Sequence, residues 1–204
     1  PNDYCKLPID DSSPAIVRDP SKCILCGKCV RMCDEVQNIH AVDFAERGIE
    51  TYISCGFNNK LADTKCVSCG QCAAVCPTGA LVIKNQVSEL WQAIFDSTKK
   101  VAVQVAPAVR VGIGEEFGIP ASQPVMGKIV TALKMLGVDY VFDTSLTADL
   151  TIMEEGTELL HRIAEHDAGG EGAPELPLMT SCCPGWVRFV KARYPQFVPQ
   201  VSTS

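Results

Sequence analysis

Two stretches of the chain, CILCGKCVRMC at 23–33 and CVSCGQCAAVC at 66–76, repeat one cysteine pattern 43 residues apart. In a Cys-x2-Cys-x2-Cys-x3-Cys run, three thiolates wrap one 4Fe-4S cube while the fourth, on the helix that follows, reaches the neighbouring cube. The repeat therefore predicts two cubanes, one on Cys23, Cys26, Cys29 and Cys76, the other on Cys66, Cys69, Cys72 and Cys33. Gly27 and Gly70 sit inside the loops, where the lack of a side chain lets backbone N–H groups turn toward sulfur. Such hydrogen bonds raise the potential. Pro77 follows Cys76, whereas Asp34 stands at that place in the first repeat. Zinc prefers two separated Cys-x2-Cys pairs, so three cysteines within seven residues favour the cube.

The chain has 12 cysteines in 204 residues. A disulfide scaffold of that density belongs to small secreted domains, and nothing here indicates secretion. Cys5 and Cys55 fall outside the repeats; they read as inert buried thiols, with an upstream cluster segment as the other reading of Cys5. With 47% apolar and 21% charged residues the chain is globular. Its net charge of -6 offers no basic stripe to release counterions, which argues against a nucleic-acid partner. Residues 85–204 carry 14 acidic against 9 basic side chains, so the acidity sits mostly in the second part. No apolar run approaches the roughly 20 residues of a membrane span and no signal-peptide pattern opens the chain, so a soluble, cytoplasmic protein is expected. Pro1 in place of Met, and the apolar Phe197, Val198 and Val201 just before Ser204, suggest that both ends are cut.

Duplication of the cysteine unit implies pseudo-twofold packing. With short strands around Ile49–Ile53 and Ala80–Ile83, residues 1–84 are expected to form an α+β ferredoxin-like two-cluster domain. From Ser88 the pattern predicts a helix at 89–97, a strand at 101–105, a loop, a helix at 123–136 stopped by Gly137, and a strand at 138–142. A helix at 148–165, a Gly/Pro-rich loop at 168–177, a strand at 178–181 and a helix at 186–194 follow. Strands alternating with helices predict an α/β parallel-sheet half-domain over 85–204. Ligand sites in such sheets lie at the carboxyl ends of strands, where Asp143, Thr144, Cys182 and Cys183 fall.

Adjacent cysteines in TSCCPGW at 180–186 point to opposite faces of an extended chain, so one can bind a metal while the other faces another cavity. A turn into a helix also brings sulfur near a helix N-terminus, which favours thiolate. A reactive or ligating site is one reading; two core thiols are the other. Gly112, Gly114 and Gly118 hint at a dinucleotide loop, but Glu115 and Glu116 would put negative charge where pyrophosphate binds.

Taken in order, DDSSPAIVRDPSKCILCGKC (10–29), CVSCGQCAAVCP, APAVRVGIGEEFG (106–118), VFDTSLTADLTIMEEGTELLHRI (141–163) and TSCCPGW make the chain resemble the FeFe hydrogenases over essentially its whole length. The resemblance implies that Cys183 is one thiolate ligand of a six-iron active site, a 4Fe-4S cube joined to a binuclear iron unit carrying CO, cyanide and a dithiolate amine. It implies that Cys182 exchanges a proton with that amine, and that Glu155, Glu158, Ser202 and Arg162 belong to the proton path. Ala106, Pro107 and Ala108 become pocket candidates. On the residues alone, Glu155, Glu158 and Arg162 share one helix face, where an exposed Glu158–Arg162 pair is an ordinary surface feature.

The family takes three further cysteine ligands from motifs beyond Ser204, so the chain is expected to be a fragment, inactive by itself, of an enzyme that interconverts hydrogen and protons in an anaerobic setting. Its partners would be a ferredoxin or NAD(P)H-linked or formate-linked subunits in a multi-subunit complex. Two other readings are a cluster-assembly relative without hydrogen chemistry, which would lack the proton-path set, and a pure relay subunit, which leaves TSCCPGW unused.

Overall fold

A computed structural model of the chain describes residues 7–56, 59–120, 123–170 and 172–204; Cys5 lies outside them. The chain divides into two compact units, one formed by residues 1–84 with 172–203 and the other by residues 85–171 with Ser204.

In the first unit two antiparallel ribbons frame the cysteine loops. Strand β1 (Ile16–Arg18) pairs with β4 (Leu81–Ile83), and β2 (Asp43–Ala45) with β3 (Tyr52–Ser54). Strand β3 begins later than the apolar run suggests, because Gly48–Glu50 forms a 3-10 turn with Gly48 at φ 63°. Helices α1 (Lys28–Arg31) and α2 (Gln71–Ala74) are entered from Gly27 and Gly70, both left-handed at φ 70° and 76°. They leave differently. Helix α1 runs on into a π turn over Met32–Val36, whereas α2 stops before Cys76, because Pro77 lacks an N–H and disfavours a helical residue ahead of it. Ile16, Val30, Val42, Ile53, Leu61 and Leu81 form the core with Cys29 and Cys55, and the cysteine loops pack against it.

Residues 172–203 add helix α7 (Pro184–Arg193) to this unit. Pro184 at its first position has the fixed φ that a helix start needs. Trp186, Phe189, Tyr194 and Phe197 follow one another in ring contact, and Phe189 packs on Ile39, Ala41 and Val67. The strand expected at 178–181 is absent. In its place a single parallel bridge joins Met179 to Val201, through Met179 N–H to Gln200 O and Ser202 N–H to Met179 O, each 2.7 Å. Pro177 and Pro184, neither of which has an N–H to give a ladder, bracket the segment. Cys182 and Cys183 therefore do not sit at the end of a strand.

The second unit holds the parallel pair β5 (Ala102–Val105) and β6 (Tyr140–Asp143), with Val103 opposite Val141. Helices α3 (Val87–Phe95), α5 (Met126–Met135) and α6 (Thr144–Ala168) accompany it, and Gly137 at φ 105° follows α5. One more helix, α4 (Pro107–Glu116), occupies the predicted loop. Glycines at 112 and 114 disguise it; Gly114 is buried so closely that a Cβ there would stand 3.2 Å from Val125. Helix α6 starts four residues early because the Asp143 carboxylate accepts the Ser145 N–H at 2.9 Å. Among the described residues, no helix is long and apolar enough to cross a membrane.

Candidate metal centres and the Cys182–Cys183 turn

One cavity of the first unit is lined by Cys23, Cys26, Cys29 and Cys76, together with Gly27 and Thr78. A second is lined by Cys33, Cys66, Cys69 and Cys72. Each set takes three cysteines from one repeat and the last from the other, the exchange that the spacing predicts. Leu25 and Ser68 are left-handed at φ 57° and 60°, which turns their N–H groups onto Cys23 Sγ (3.5 Å) and Cys66 Sγ (3.4 Å). Ala41 N–H reaches Cys33 Sγ at 3.3 Å. These donors place partial positive charge against sulfur, as thiolates require.

Burial, then the neighbouring thiols Cys23 and Cys26, pushes the Cys29 thiol up to about 11. Burial and the crowding of Cys66, Cys69 and Cys33 push Cys72 up to about 12, and burial raises Cys66 as well. Burial also acts to raise Cys76, but N–H groups of Leu81, Thr78 and Ala80 and the Thr78 hydroxyl outweigh it and hold that thiol below its ordinary value. Crowded thiols of this kind lose their protons together only when cationic metal replaces them. Among the described residues, no group of three or more His, Cys, Asp or Glu is placed to hold a single metal ion. Four sulfurs set around a cavity fit a larger group than zinc. Cys55 lines neither cavity; it is fully buried in the core and raised to about 11 by burial, as an inert thiol would be.

Cys183 caps α7, its Sγ accepting the Trp186 N–H at 3.5 Å, and both Cys182 and Cys183 are exposed. The turn rests on the loop that carries Cys66. A Cβ on Gly185 would lie 3.4 Å from Val67 O, and Arg188 donates to Ser68 Oγ (3.2 Å) and Cys66 O (3.4 Å). Nothing in the repeat singles out Arg188, because it acts through a contact between segments far apart in sequence. Ser202 is buried in this unit.

In the second unit, Ala106 and Pro107 are exposed at the carboxyl end of β5, where Pro107 opens α4, and Ala108 lies in its first turn. Asp143 ends β6 and opens α6, so two helix N-termini follow the two strand ends. Arg110 on α4 ties them, donating to Asp143 at 2.7 Å and to Ser145 Oγ at 3.4 Å. The Ser145 N–H, more than the Arg110 charge, holds the Asp143 carboxyl below its ordinary value. Glu155, Glu158 and Arg162 lie along α6, partly buried, with Arg162 donating to Glu158 at 2.7 Å.

The two four-cysteine cavities, with a thiol-capped helix packed on one of their loops, define a two-cluster ferredoxin-like iron-sulfur protein. The chain belongs to the iron-only hydrogenase large-subunit family: residues 99–204 match the family described as Iron only hydrogenase large subunit, C-terminal domain. Residues 22–80 match the 4Fe-4S dicluster domain. The chain is 46% identical over 194 residues to the NADP-reducing hydrogenase subunit HndD of Solidesulfovibrio fructosivorans, covering 95% of this chain and 33% of that one. It is 40% identical over 196 residues to Iron hydrogenase 1 of Clostridium pasteurianum, 96% of this chain and 33% of that one. A solved structure of the [FeFe]-hydrogenase HydA1 from Chlamydomonas reinhardtii matches at a TM-score of 0.50 with 44% identity, over 59% of this chain and 30% of that chain. The chain thus spans about a third of the length of the curated relatives it matches.

Proposed function

We propose that this chain is the electron-relay portion and part of the active site of an FeFe hydrogenase, which catalyses reversible oxidation of hydrogen to protons and electrons. The observation that carries the reading is the pair of four-cysteine cavities in the unit that also contains the Cys183 turn. On this reading residues 1–84 are the two-cluster domain and 85–204 the first part of the catalytic domain. Cys23, Cys26, Cys29 and Cys76 hold one 4Fe-4S cube; Cys66, Cys69, Cys72 and Cys33 hold the other; Cys183 supplies one thiolate to the six-iron active-site group of the complete protein. When bound, the cubes supply one-electron carriers and the six-iron group supplies the centre at which hydrogen is split or formed.

The chain's own residues position and protonate. The Trp186 N–H at the α7 N-terminus orients the Cys183 sulfur. Exposed Cys182 holds and releases a proton at Sγ. Glu155, Glu158 and Ser202 are assigned to the proton path as groups that take and give protons, Arg162 to the same path by holding the Glu158 carboxylate, and Ala106 and Pro107 to the pocket. The partner is a redox protein or subunit, either a ferredoxin or an NAD(P)H- or formate-linked subunit of a larger complex. The printed name of the NADP-reducing relative favours the nicotinamide-linked kind. A cysteine-rich chain whose thiols are kept for metal rather than disulfides suits a reducing compartment such as the cytoplasm.

The test is hydrogen evolution from reduced viologen by the full-length protein after cofactor maturation. Turnover that disappears in Cys182→Ala supports the reading. A matured protein with both cubes intact and no hydrogen would instead place the chain with cluster-assembly relatives.

A further inference from the structure

Arg18 is a charged side chain where charge is costly. It is 8% exposed, at the end of β1, and it lines the Cys23, Cys26, Cys29 and Cys76 cavity on one side and a cavity with Asp10 and Asp11 on the other. Its Nη1 donates to Ile53 O at 2.7 Å, while its Nε is buried with no hydrogen-bond partner. Among the described residues it makes no ion pair, although its charge favours the ionised forms of Asp10 and Cys55. A buried cation with an orphaned donor costs several kcal/mol in a typical protein unless an anion compensates it. The carboxylate in that wall, Asp19, is taken by Ser21 and Lys22, and Asp10 by Ser12 and the Leu61 N–H, so the thiols of the cavity are the remaining anion-forming groups.

We propose that Arg18 is a positioning residue of electrostatic kind: its guanidinium is the fixed counter-charge of the group held in the Cys23 cavity and sets that group's reduction potential above what the four thiolates alone would give. The inference rests on the cubane reading of that cavity. A 4Fe-4S cube on four thiolates is anionic, and taking up one electron makes it more so, with no bond formed or broken. A buried positive charge stabilises the more negative, reduced form, so the midpoint potential rises. Among the described residues the second cavity has no arginine in its wall, and Arg188, which touches its Cys66 loop, is exposed. The effect is therefore confined to one cube.

The experiment is a redox titration of the full-length, cluster-loaded protein, following the paramagnetic signals of both cubes in wild type, Arg18→Met, Arg18→Gln and Arg18→Lys. A buried charge replaced by an apolar side chain of similar size is commonly tolerated, so Arg18→Met guards against a folding failure in Arg18→Gln. With iron content unchanged, Met and Gln should lower the reduced-to-oxidised ratio of one cube at least about tenfold at a given potential, which is about 59 mV for one electron. Lys should hold it within about threefold, and the signal that moves should be the one that Cys26→Ala removes. A change below about twofold, or equal shifts of both cubes, overturns the proposal. Loss of one cube's iron in both the Met and Gln variants also overturns it, by assigning Arg18 to the wall alone. Wild-type protein lacking two cubes would sink the cubane reading itself, which is a separate result.

Discussion

Leu25 and Ser68 hold equivalent places in the two cysteine repeats and share one left-handed backbone conformation, φ 57° and 60°, that side chains rarely adopt. Each turns its N–H onto the sulfur two residues earlier. Gly27 and Gly70 add a second left-handed residue to each loop. The loops are thus wound against the preference of an L-residue to bring donors to sulfur.

Gly27→Ala should therefore destabilise the first unit by about 1–2 kcal/mol, the usual cost of a left-handed L-residue. Its Cβ would also come 2.9 Å from the Phe44 ring. The check is the denaturant midpoint of the protein and its rate of cluster loss. An unchanged midpoint would mean that the loop relaxes to another conformation.

The crossed cysteine sets make a prediction that no single-repeat arrangement shares. Cys33→Ala should bring iron from about eight to about four per chain, and Cys33→Ala combined with Cys66→Ala should lose no more, because both mutations strike one cube. Cys33→Ala with Cys23→Ala should lose both cubes. Cys55→Ala should keep all the iron and cost about 1–3 kcal/mol of stability, as removal of a buried side-chain group does. Iron and sulfide analysis of the four variants reads all of this.

The cysteine pattern made the cavities legible because cubane ligation is a matter of spacing along the chain. The parallel β5–β6 pair followed from apolar runs alternating with helices, whereas β1 and β2, the partners of β4 and β3, were not among the strands expected. The left-handed Leu25 and Ser68 stayed hidden because ordinary side chains disfavour that conformation, and the Arg188 contact to the Cys66 loop and the buried Arg18 because they depend on neighbours distant in sequence. Helix α4 was hidden for the opposite reason, since Gly112 and Gly114 weaken the local helical signal while close packing at Gly114 demands the small residue. At 178–181, where a strand was expected, pairing is limited to the single Met179–Val201 bridge, in a segment bounded by Pro177 and Pro184, which have no N–H to extend it.

Asp96 gives an acid-dependence with a defined sign. The Thr98 hydroxyl, the Thr98 N–H and Lys99 lower its folded pKa from 3.8 to about 2. The folded state then binds fewer protons than the unfolded one, so this contribution is full above 3.8 and disappears as pH falls toward about 2. Asp96→Asn should flatten the fall of the denaturant midpoint over that range relative to wild type, with cluster lability common to both. Parallel curves would contradict it.

Glu158 separates structure from proton transfer. The Arg162–Glu158 pair is an i,i+4 contact between partly buried side chains, and glutamine keeps an oxygen for Arg162, so Glu158→Gln should cost no more than about 1–3 kcal/mol of stability. On the proposed proton path it should cost about a hundredfold or more in hydrogen turnover, the usual weight of a positioned acid or base. Equal turnover in the Gln variant would remove Glu158 from the path.

The most direct measurement is iron and acid-labile sulfide per chain in anaerobically prepared protein limited to these residues, with spectra before and after reduction. Two cubes give about eight irons and about eight sulfides, with two interacting paramagnetic signals on reduction. Bound zinc, or about four irons with a single signal, would contradict the assignment of the two cysteine cavities.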